Sequence, residues 1–283
     1  MTTVTAPLPE ARLAEPEFEL TDRDFARIRR LIHERAGISL HAGKRAMVYS
    51  RLARRLRETG HNSFSSYLQS IEAPDEAAER QRFVNSLTTN LTAFFREPHH
   101  FEALADELRR HRGGAPIRLW CNAASTGEEP YSIAMTVVET QGADAAVELV
   151  CSDIDTEVLE HARRGVYAAD SRGLSPARLR RHFLRGTGAN SGLIRVRREL
   201  ARLPSFRVFN LMSADWSSLG APFDFVFCRN VMIYFDAPTQ HRLVERLHAA
   251  LRPGGLLYVG HSENLADARA LFRLRGKTVY ERC

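Results

Sequence analysis

The sequence predicts an α/β protein: a mainly parallel, Rossmann-like sheet covered by helices on both faces, with a small antiparallel β insertion, preceded by an all-α N-terminal domain. Three observations predict it. Up to about residue 88, apolar residues recur at helical spacing. From about residue 100, short apolar runs alternate with helical stretches, the pattern of strands joined by crossover helices. At the first strand–helix junction the run Ile117 to Trp120 passes into a tight small-residue loop, Ala123-Ala-Ser-Thr-Gly127-Glu-Glu-Pro-Tyr-Ser132. Such a loop is where an open α/β sheet holds a nucleotide-like ligand.

The elements follow in order. Residues 1–19 are polar and proline-containing and read as a flexible tail without a signal-peptide core. The helical domain covers 20–88. Thr21 with Asp24 resembles a capping box, and Phe25, Ile28 and Ile32 keep helical spacing up to Gly37. A second helix runs from Lys44 to Thr59 and stops at Gly60. Its apolar stripe is Met47, Val48, Leu52 and Leu56, and Lys44, Arg51, Arg54 and Arg55 lie off the stripe. Shorter helices are expected at 64–72 and 75–88. Residues 89–100 form a linker, Thr89-Asn-Leu-Thr-Ala-Phe-Phe-Arg96 and onward. Its rings can pack down while Asn90, Thr92 and Arg96 face a ligand; the same residues also suit a packed connector with Arg96 in solvent.

The larger unit covers 101–283, after a helix start near 100. Strands are expected at 117–122, 147–152, 206–211, 223–228 and 256–260. A final pair at 271–275 and 278–281, joined at Gly276-Lys277, adds an antiparallel edge. A helix at 239–251 ends before Pro253-Gly-Gly255. The β insertion, at about 175–205, breaks the alternation. It has a short helix capped by Ser175 with Pro176 in its first turn, a glycine-rich turn from Gly186 to Gly192, and a strand from Gly192 to Arg197.

Of the 283 residues, 44% are hydrophobic, enough for a packed core, and no apolar run approaches membrane-span length, so a cytoplasmic protein is expected. Cys121, Cys151 and Cys228 end apolar runs and read as core residues; Cys283 is the last residue. The net charge of +6 hides two basic islands. Residues 21–60 hold eleven Lys/Arg against four Asp/Glu, and residues 178–207 hold nine against one. Basicity is therefore local, which points to acidic partners at two places.

The loop 123–132 contains one glycine, so it is neither a dinucleotide fingerprint nor a P-loop. Glu128 and Glu129 at the helix N-terminus oppose a pyrophosphate. The next strand, Val147 to Asp153, ends in a carboxylate placed for a ribose diol. A cofactor with a ribose and a cationic centre but no phosphate fits, and S-adenosylmethionine is such a cofactor. An ordinary strand–helix turn, with Asp153 capping the next helix, fits these residues equally well. The His and Cys residues show no metal-ligand spacing, and no metal is expected.

Five motifs then occur in sequence: Thr89 to Glu97, Ala124-Ser-Thr-Gly-Glu-Glu-Pro-Tyr131, Ser152-Asp-Ile-Asp155, Phe227-Cys-Arg-Asn-Val-Met-Ile-Tyr-Phe-Asp236 and Gly260-His-Ser-Glu-Asn264. Together they closely resemble the bacterial chemotaxis receptor methyltransferases, the CheR family, from about residue 20 onward. The resemblance implies a protein-glutamate O-methyltransferase that moves a methyl group from S-adenosylmethionine to chemoreceptor glutamates. The products would be glutamyl methyl esters and S-adenosylhomocysteine. It implies that Asn90, Thr92, Arg96, Glu128, Asp153, Asn210, Leu211, Arg229 and Asn230 meet the cofactor, and that Arg96 and Tyr234 act at the reacting centre. A glutamate acceptor, with a reference pKa of ~4.3, is already ionised at neutral pH, so neither a general base nor His99, His100 or His261 is required.

The islands then take on roles. The Lys44–Arg57 helix offers Lys44, Arg51, Arg54 and Arg55 to acidic receptor helices, although a solvated helix face explains the same charges. The insertion, through Arg185, Gly186, Gly188, Arg195 and Arg197, resembles the type that binds an acidic–aromatic pentapeptide at receptor C-termini by strand addition. A monomer is expected, with chemoreceptor cytoplasmic domains as partners and no nucleic acid. Two other classes compete. A nucleic-acid methyltransferase is suggested by the pI of 9.4, but no aromatic stacking platform accompanies the arginines. Against a non-catalytic cofactor-sensing scaffold stands the joint presence of Arg96, Asp153 and Tyr234.

Overall fold

Thr21 opens the first helix as a complete capping box: its side chain accepts from the Asp24 N–H, and the Asp24 carboxylate accepts from the Thr21 N–H. The structure is a computed structural model that describes residues 17–111, 115–220 and 222–283. The tail expected over 1–19 lies, except for its last three residues, outside them.

Four helices follow: α1 (Asp22–Ala36), α2 (Arg45–Thr59), α3 (Phe64–Glu72) and α4 (Ala77–Leu87). Of their expected stripes, Phe25, Ile28 and Ile32 on α1 and Val48, Leu52 and Leu56 on α2 are buried, and Met47 is half-buried against the same core. One carboxylate sits inside this bundle. Glu79 accepts from Arg55 Nε at 3.0 Å, Arg55 Nη2 at 2.7 Å and the Tyr67 hydroxyl at 2.9 Å. A buried carboxylate needs such partners, because removing one side of the pair strands the other. Arg55 also meets Glu58. The docking role expected for Arg55 is therefore corrected: its guanidinium is turned inward and holds α2 to α4.

The larger unit starts with α5 (His99–Arg110), β1 (Ile117–Cys121), α6 (Glu128–Gln141), β2 (Val147–Asp153) and α7 (Thr156–Arg164). The insertion then supplies β3 (Val166–Ala168), α8 (Pro176–His182), β4 (Phe183–Arg185), β5 (Leu193–Val196) and α9 (Arg198–Ala201). The chain closes with β6 (Pro204–Val208), β7 (Phe223–Cys228), α10 (Ala237–Ala250), β8 (Leu251–Val259), β9 (Phe272–Gly276) and β10 (Val279–Arg282). The main sheet runs β6-β2-β1-β7-β8-β10-β9. Its first five members are parallel, and the terminal hairpin adds the antiparallel edge.

Three expectations are corrected. The insertion sheet, ordered β3-β5-β4, draws its first strand from residues 166–168, ahead of the expected start at 175. Three residues are too short to show an alternating pattern. The strand expected at 206–211 ends at Val208, so Phe209, Asn210 and Leu211 form a loop over the sheet end. The strand expected at 256–260 begins at Leu251, with Pro253 and Gly254 at a shift in its register against β7.

The order of the parallel strands decides where a ligand can sit. From β1 the chain winds one way to β2 and β6, then returns to place β7 on the other side of β1. The crevice between β1 and β7 is therefore the topological switch point, open at the strands' C-terminal ends. One face of the sheet shares a core with the helical domain, through Trp120, Phe223, Val226 and Leu257. The other face packs against α5, α6 and the insertion. Phe94 of the linker is 1% exposed and meets Tyr167 and Phe183 edge-on at 5.0 and 5.7 Å, which fastens the insertion to the linker.

The helical domain roofs the switch point. Ile38 forms a β-bridge with Phe235, and Ser39 N donates to the Tyr234 carbonyl at 2.8 Å. His33 Nε2 meets Asp236 at 2.8 Å, and Gln81 Nε2 donates to the Ile154 carbonyl at 2.8 Å. Among the described residues no helix is long and apolar enough to cross a membrane.

Candidate active site

Between roof and sheet lies a cavity of about 410 Å³. Its floor is Asn122, Ala123 and Ser125 after β1 and Asp153 at the end of β2. The linker, the loop 209–211, the loop 229–235 and residues 38–41 of the helical domain make its walls.

Asn90, Thr92, Arg96, Asp153, Asn210, Leu211, Arg229, Asn230 and Tyr234 all line this cavity, as does Lys44. Glu128 is not among the lining residues; Glu129 takes that place. Gly127, at φ 101°, opens α6, and successive helical residues then face directions about 100° apart. Glu129 points back to the strand ends, whereas the Glu128 carboxylate accepts from the Thr126 hydroxyl at 2.6 Å. Of the two glutamates it is therefore Glu129 whose side chain turns toward the strand ends.

Several lining residues are already occupied by the protein. The Asn210 side chain donates to the Arg35 carbonyl and accepts from Met212 N at 2.9 Å, so it joins the sheet end to the helical domain. Asn90 donates to Asp155 at 2.8 Å, and Arg96 Nη1 donates to the Leu91 carbonyl at 2.9 Å. Asp153 accepts from Ser125 N at 2.8 Å through one oxygen and from Asp155 N at 3.0 Å through the other. Burial raises its carboxyl to about 6, against the pull of these N–H groups. Asp155, not Asp153, caps α7 by accepting from Glu157 and Val158 N. That removes the alternative of Asp153 as a helix cap.

Arg229 joins three of the sequence motifs. Its side chain is fully buried. It donates to Glu129 at 2.6 Å and to the Arg96 carbonyl, and lies 3.4 Å from Glu97. Glu97 also meets His261 Nδ1 at 3.0 Å. Burial would raise the Glu97 carboxyl, but His261 and Arg229 outweigh it and hold it at about 2. Glu97, His99 and His100 bring three ligand atoms within 4.8 Å of one another, although their spacing in sequence is not that of a metal site. Arg229 stands against the same Glu97 oxygen, which opposes a second cation there.

Two further residues were missed. Glu263 is 5% exposed and accepts from four backbone N–H groups: Gly260 at 2.6 Å, Asn230 at 2.8 Å, Val231 at 2.9 Å and Met232 at 2.7 Å. Burial raises its carboxyl while these bonds oppose the rise. It clamps the loop that carries Asn230, at φ 56°, and Tyr234. A Cβ on Gly260 would come within 2.3 Å of the Asn230 amide, so the approach requires glycine. The motif around Glu263 was visible, but four bonds to a distant loop leave no mark in spacing. The other residue is Asn122, 2% exposed, whose Oδ1 and Nδ2 both lack a partner among the described residues. Each such orphan costs on the order of 1–3 kcal/mol.

These features fit S-adenosylmethionine. A buried carboxylate at the end of β2 suits a ribose diol, an unpartnered amide awaits a polar group, and Phe209, Leu211 and Ile154 provide apolar wall.

Comparison with known proteins agrees. Residues 90–281 match the family model of the CheR methyltransferase SAM binding domain, and residues 23–88 match that of the CheR methyltransferase all-alpha domain. The chain belongs to the CheR methyltransferase family. It is 53% identical to the chemotaxis protein methyltransferases of Klebsiella aerogenes and Escherichia coli K12, over 92% of this chain and 90% and 91% of theirs. It is also 53% identical to chemotaxis protein methyltransferase 2 of Pseudomonas aeruginosa, over 96% of this chain and 97% of that one. The protein is an S-adenosylmethionine-dependent methyltransferase of chemotaxis.

The remaining expected residues lie outside the cavity. Arg51 donates to the Ser86 and Thr88 carbonyls and braces the start of the linker. Arg54 is exposed and pairs with Glu58. Arg185 and Arg195 are exposed on the insertion sheet, and Arg197 is half-buried beside them. Arg178, counted in the second basic island, is bound to Glu139 and stacks 3.6 Å above the Phe95 ring.

Glu263→Gln replaces one accepting oxygen by an NH2 that faces backbone N–H groups. We expect kcat to fall at least about tenfold, with cofactor affinity changed less than about threefold and a cooperative thermal transition retained. Wild-type turnover in this variant would show that the 230–234 loop holds its shape without the clamp.

Proposed function

We propose that this CheR-family enzyme methylates glutamate side chains of chemoreceptor cytoplasmic domains, giving glutamyl methyl esters. The observation that carries the reading is the meeting of Asp153, Arg96 and Tyr234 in one roofed cavity at the switch point. S-adenosylmethionine, when bound, supplies a methyl group on a sulfonium and hence its own leaving group. The acceptor carboxylate is ionised at neutral pH, so this chain need not remove a proton. Its work is placement and exclusion of water.

Asp153 accepts from the ribose hydroxyls with the capacity left by its bonds to Ser125 and Asp155. Asn90, Thr92, Leu211 and Asn230 enclose the rest of the cofactor. Arg229 acts from behind, by fixing Glu129 and the Arg96 backbone. Arg96 is anchored through one nitrogen at Leu91, and it orients the acceptor carboxylate together with the Tyr234 hydroxyl. The contact must orient rather than clamp, since a strong ion pair with the acceptor would stabilise the ground state and slow transfer. Lys44 and Arg54, both exposed on or beside α2, present positive charge to acidic receptor helices.

The insertion holds receptor tails. Its β4 is a sheet edge, with Arg185 and Leu184 exposed and Arg195 opposite Leu184 in register. An acidic–aromatic peptide can add there as a strand, with its acid near Arg195 and an apolar side chain near Leu184. Such a tether raises local substrate concentration without altering the chemistry.

Three outcomes are expected. Labelled methyl transferred to receptor cytoplasmic fragments is released as methanol by mild base, and Arg96→Ala and Tyr234→Phe each lower kcat about tenfold or more. Base-stable label would exclude an ester. Cofactor affinity is flat above about pH 7 and falls by up to tenfold per unit below about pH 6, where Asp153 takes a proton. Ligand-free stability moves oppositely: the carboxyl is raised from 3.8 to about 6 on folding, so the folded chain gains stability as pH falls across that window. Asp153→Asn should flatten the affinity profile; an unchanged profile would remove Asp153 from cofactor binding. By calorimetry, an acidic–aromatic pentapeptide binds the wild type and binds Arg195→Ala about tenfold more weakly; no binding to the wild type would end the tether reading.

A further inference from the structure

Asn122 follows β1 directly, at the switch point between β1 and β7. Its backbone is satisfied: the N–H donates to the Phe227 carbonyl at 3.1 Å. Its side chain is not. The amide is buried, lines the cavity, and has neither donor nor acceptor bonds among the described residues. Its one polar contact among them is with the Cys228 thiol, a weak donor and weak acceptor that does not meet either amide atom at hydrogen-bond geometry. Other buried polar side chains nearby find partners within the chain. Glu129 is paired with Arg229 at 2.6 Å, and the Trp120 indole N–H donates to the Ser152 hydroxyl at 2.9 Å. A buried amide with both of its polar atoms open, lining a cavity, is the mark of a group completed from outside the chain.

We infer that Asn122 binds the cofactor and that it reads the α-amino-acid end of S-adenosylmethionine. The inference rests on Asp153 taking the ribose. Position supports it. Asp153 ends β2, and β1 lies one strand spacing, about 4.8 Å, toward β7. A ligand with its ribose over β2 carries its sulfur-bearing chain across β1 into the crevice that Asn122 floors. Chemistry supports it too. An amide sets an acceptor beside a donor, which matches an α-ammonium beside an α-carboxylate. Glu129 and Arg229 neutralise each other at the cavity wall, so neither competes for one half of that zwitterion.

Calorimetry on the full chain tests this with two probes. S-adenosylhomocysteine keeps the amino-acid end; 5′-methylthioadenosine keeps the adenine, ribose and sulfur and lacks that end. Asn122→Ala should weaken S-adenosylhomocysteine about tenfold and leave methylthioadenosine within about twofold. Its ligand-free melting temperature should be unchanged or higher, because an orphaned amide has been removed. Equal weakening of both probes, or no weakening of the first, would overturn the assignment. A lower melting temperature would make Asn122 a structural residue instead. Asp153→Asn keeps the premise separate: it should weaken both probes, and methylthioadenosine binding unaltered by it would defeat the ribose reading without reference to Asn122.

Discussion

The site depends on one buried cation. Arg229 leaves β7 beneath the cavity and is bound by Glu129 from the start of α6, by the Arg96 carbonyl and by Glu97. Placing a guanidinium with no solvent exposure is expensive unless its N–H groups are met by charge and carbonyl. The arrangement that meets its two terminal nitrogens also fixes the distances among three segments far apart in sequence. The linker cannot move away from the strand ends without exposing Glu97, and α6 cannot rotate without releasing Glu129. The pair is weak ground for arguing stability. It is better ground for arguing that these segments have one mutual arrangement.

A second layer of carboxylates works on that frame, and the two members differ in what they leave open. Glu263 directs both oxygens at four backbone N–H groups and so sets the 230–234 loop. Asp153 receives two backbone bonds and remains on the cavity floor. The first is consumed in holding a shape; the second retains capacity for a ligand. Methyl transfer from a sulfonium to a carboxylate asks for little acid–base chemistry, so a site built mainly from such fixed bonds is adequate to it.

Elements with many residues and a clear period were legible in the sequence. The capping box at Thr21, the stripe of α2 and the strands from Ile117, Val147 and Phe223 fall where spacing puts them. The site's location was legible too, because the small-residue loop and Asp153 flank a switch point. What failed depended on direction or on distant partners. Glu128 and Glu129 are adjacent and chemically identical, and only the exact start of α6 tells which one faces the strands. Arg55 looked like a surface cation because its partner Glu79 is 24 residues away on another helix. β3 is too short to declare itself. Glu263 and Asn122 are recognisable only from which of their atoms find partners after folding.

That last distinction carries over to function. In this site the polar groups with structural duties are recognised by surplus: Arg229, Glu263 and Asn210 each bond to parts of the chain that would otherwise separate. Asn122, by contrast, is recognised by deficit. The helical domain sharpens the contrast, because Ile38 and Ser39 pin the Tyr234 segment from above and close the crevice. Water can approach an exposed orphan at little cost, but an orphan beneath a roof carries its desolvation cost until something fills the place. The roof thus does more than exclude water from the reaction. It makes the unpartnered amide on the floor costly in the empty protein, and so makes part of the cofactor's affinity a relief of that cost.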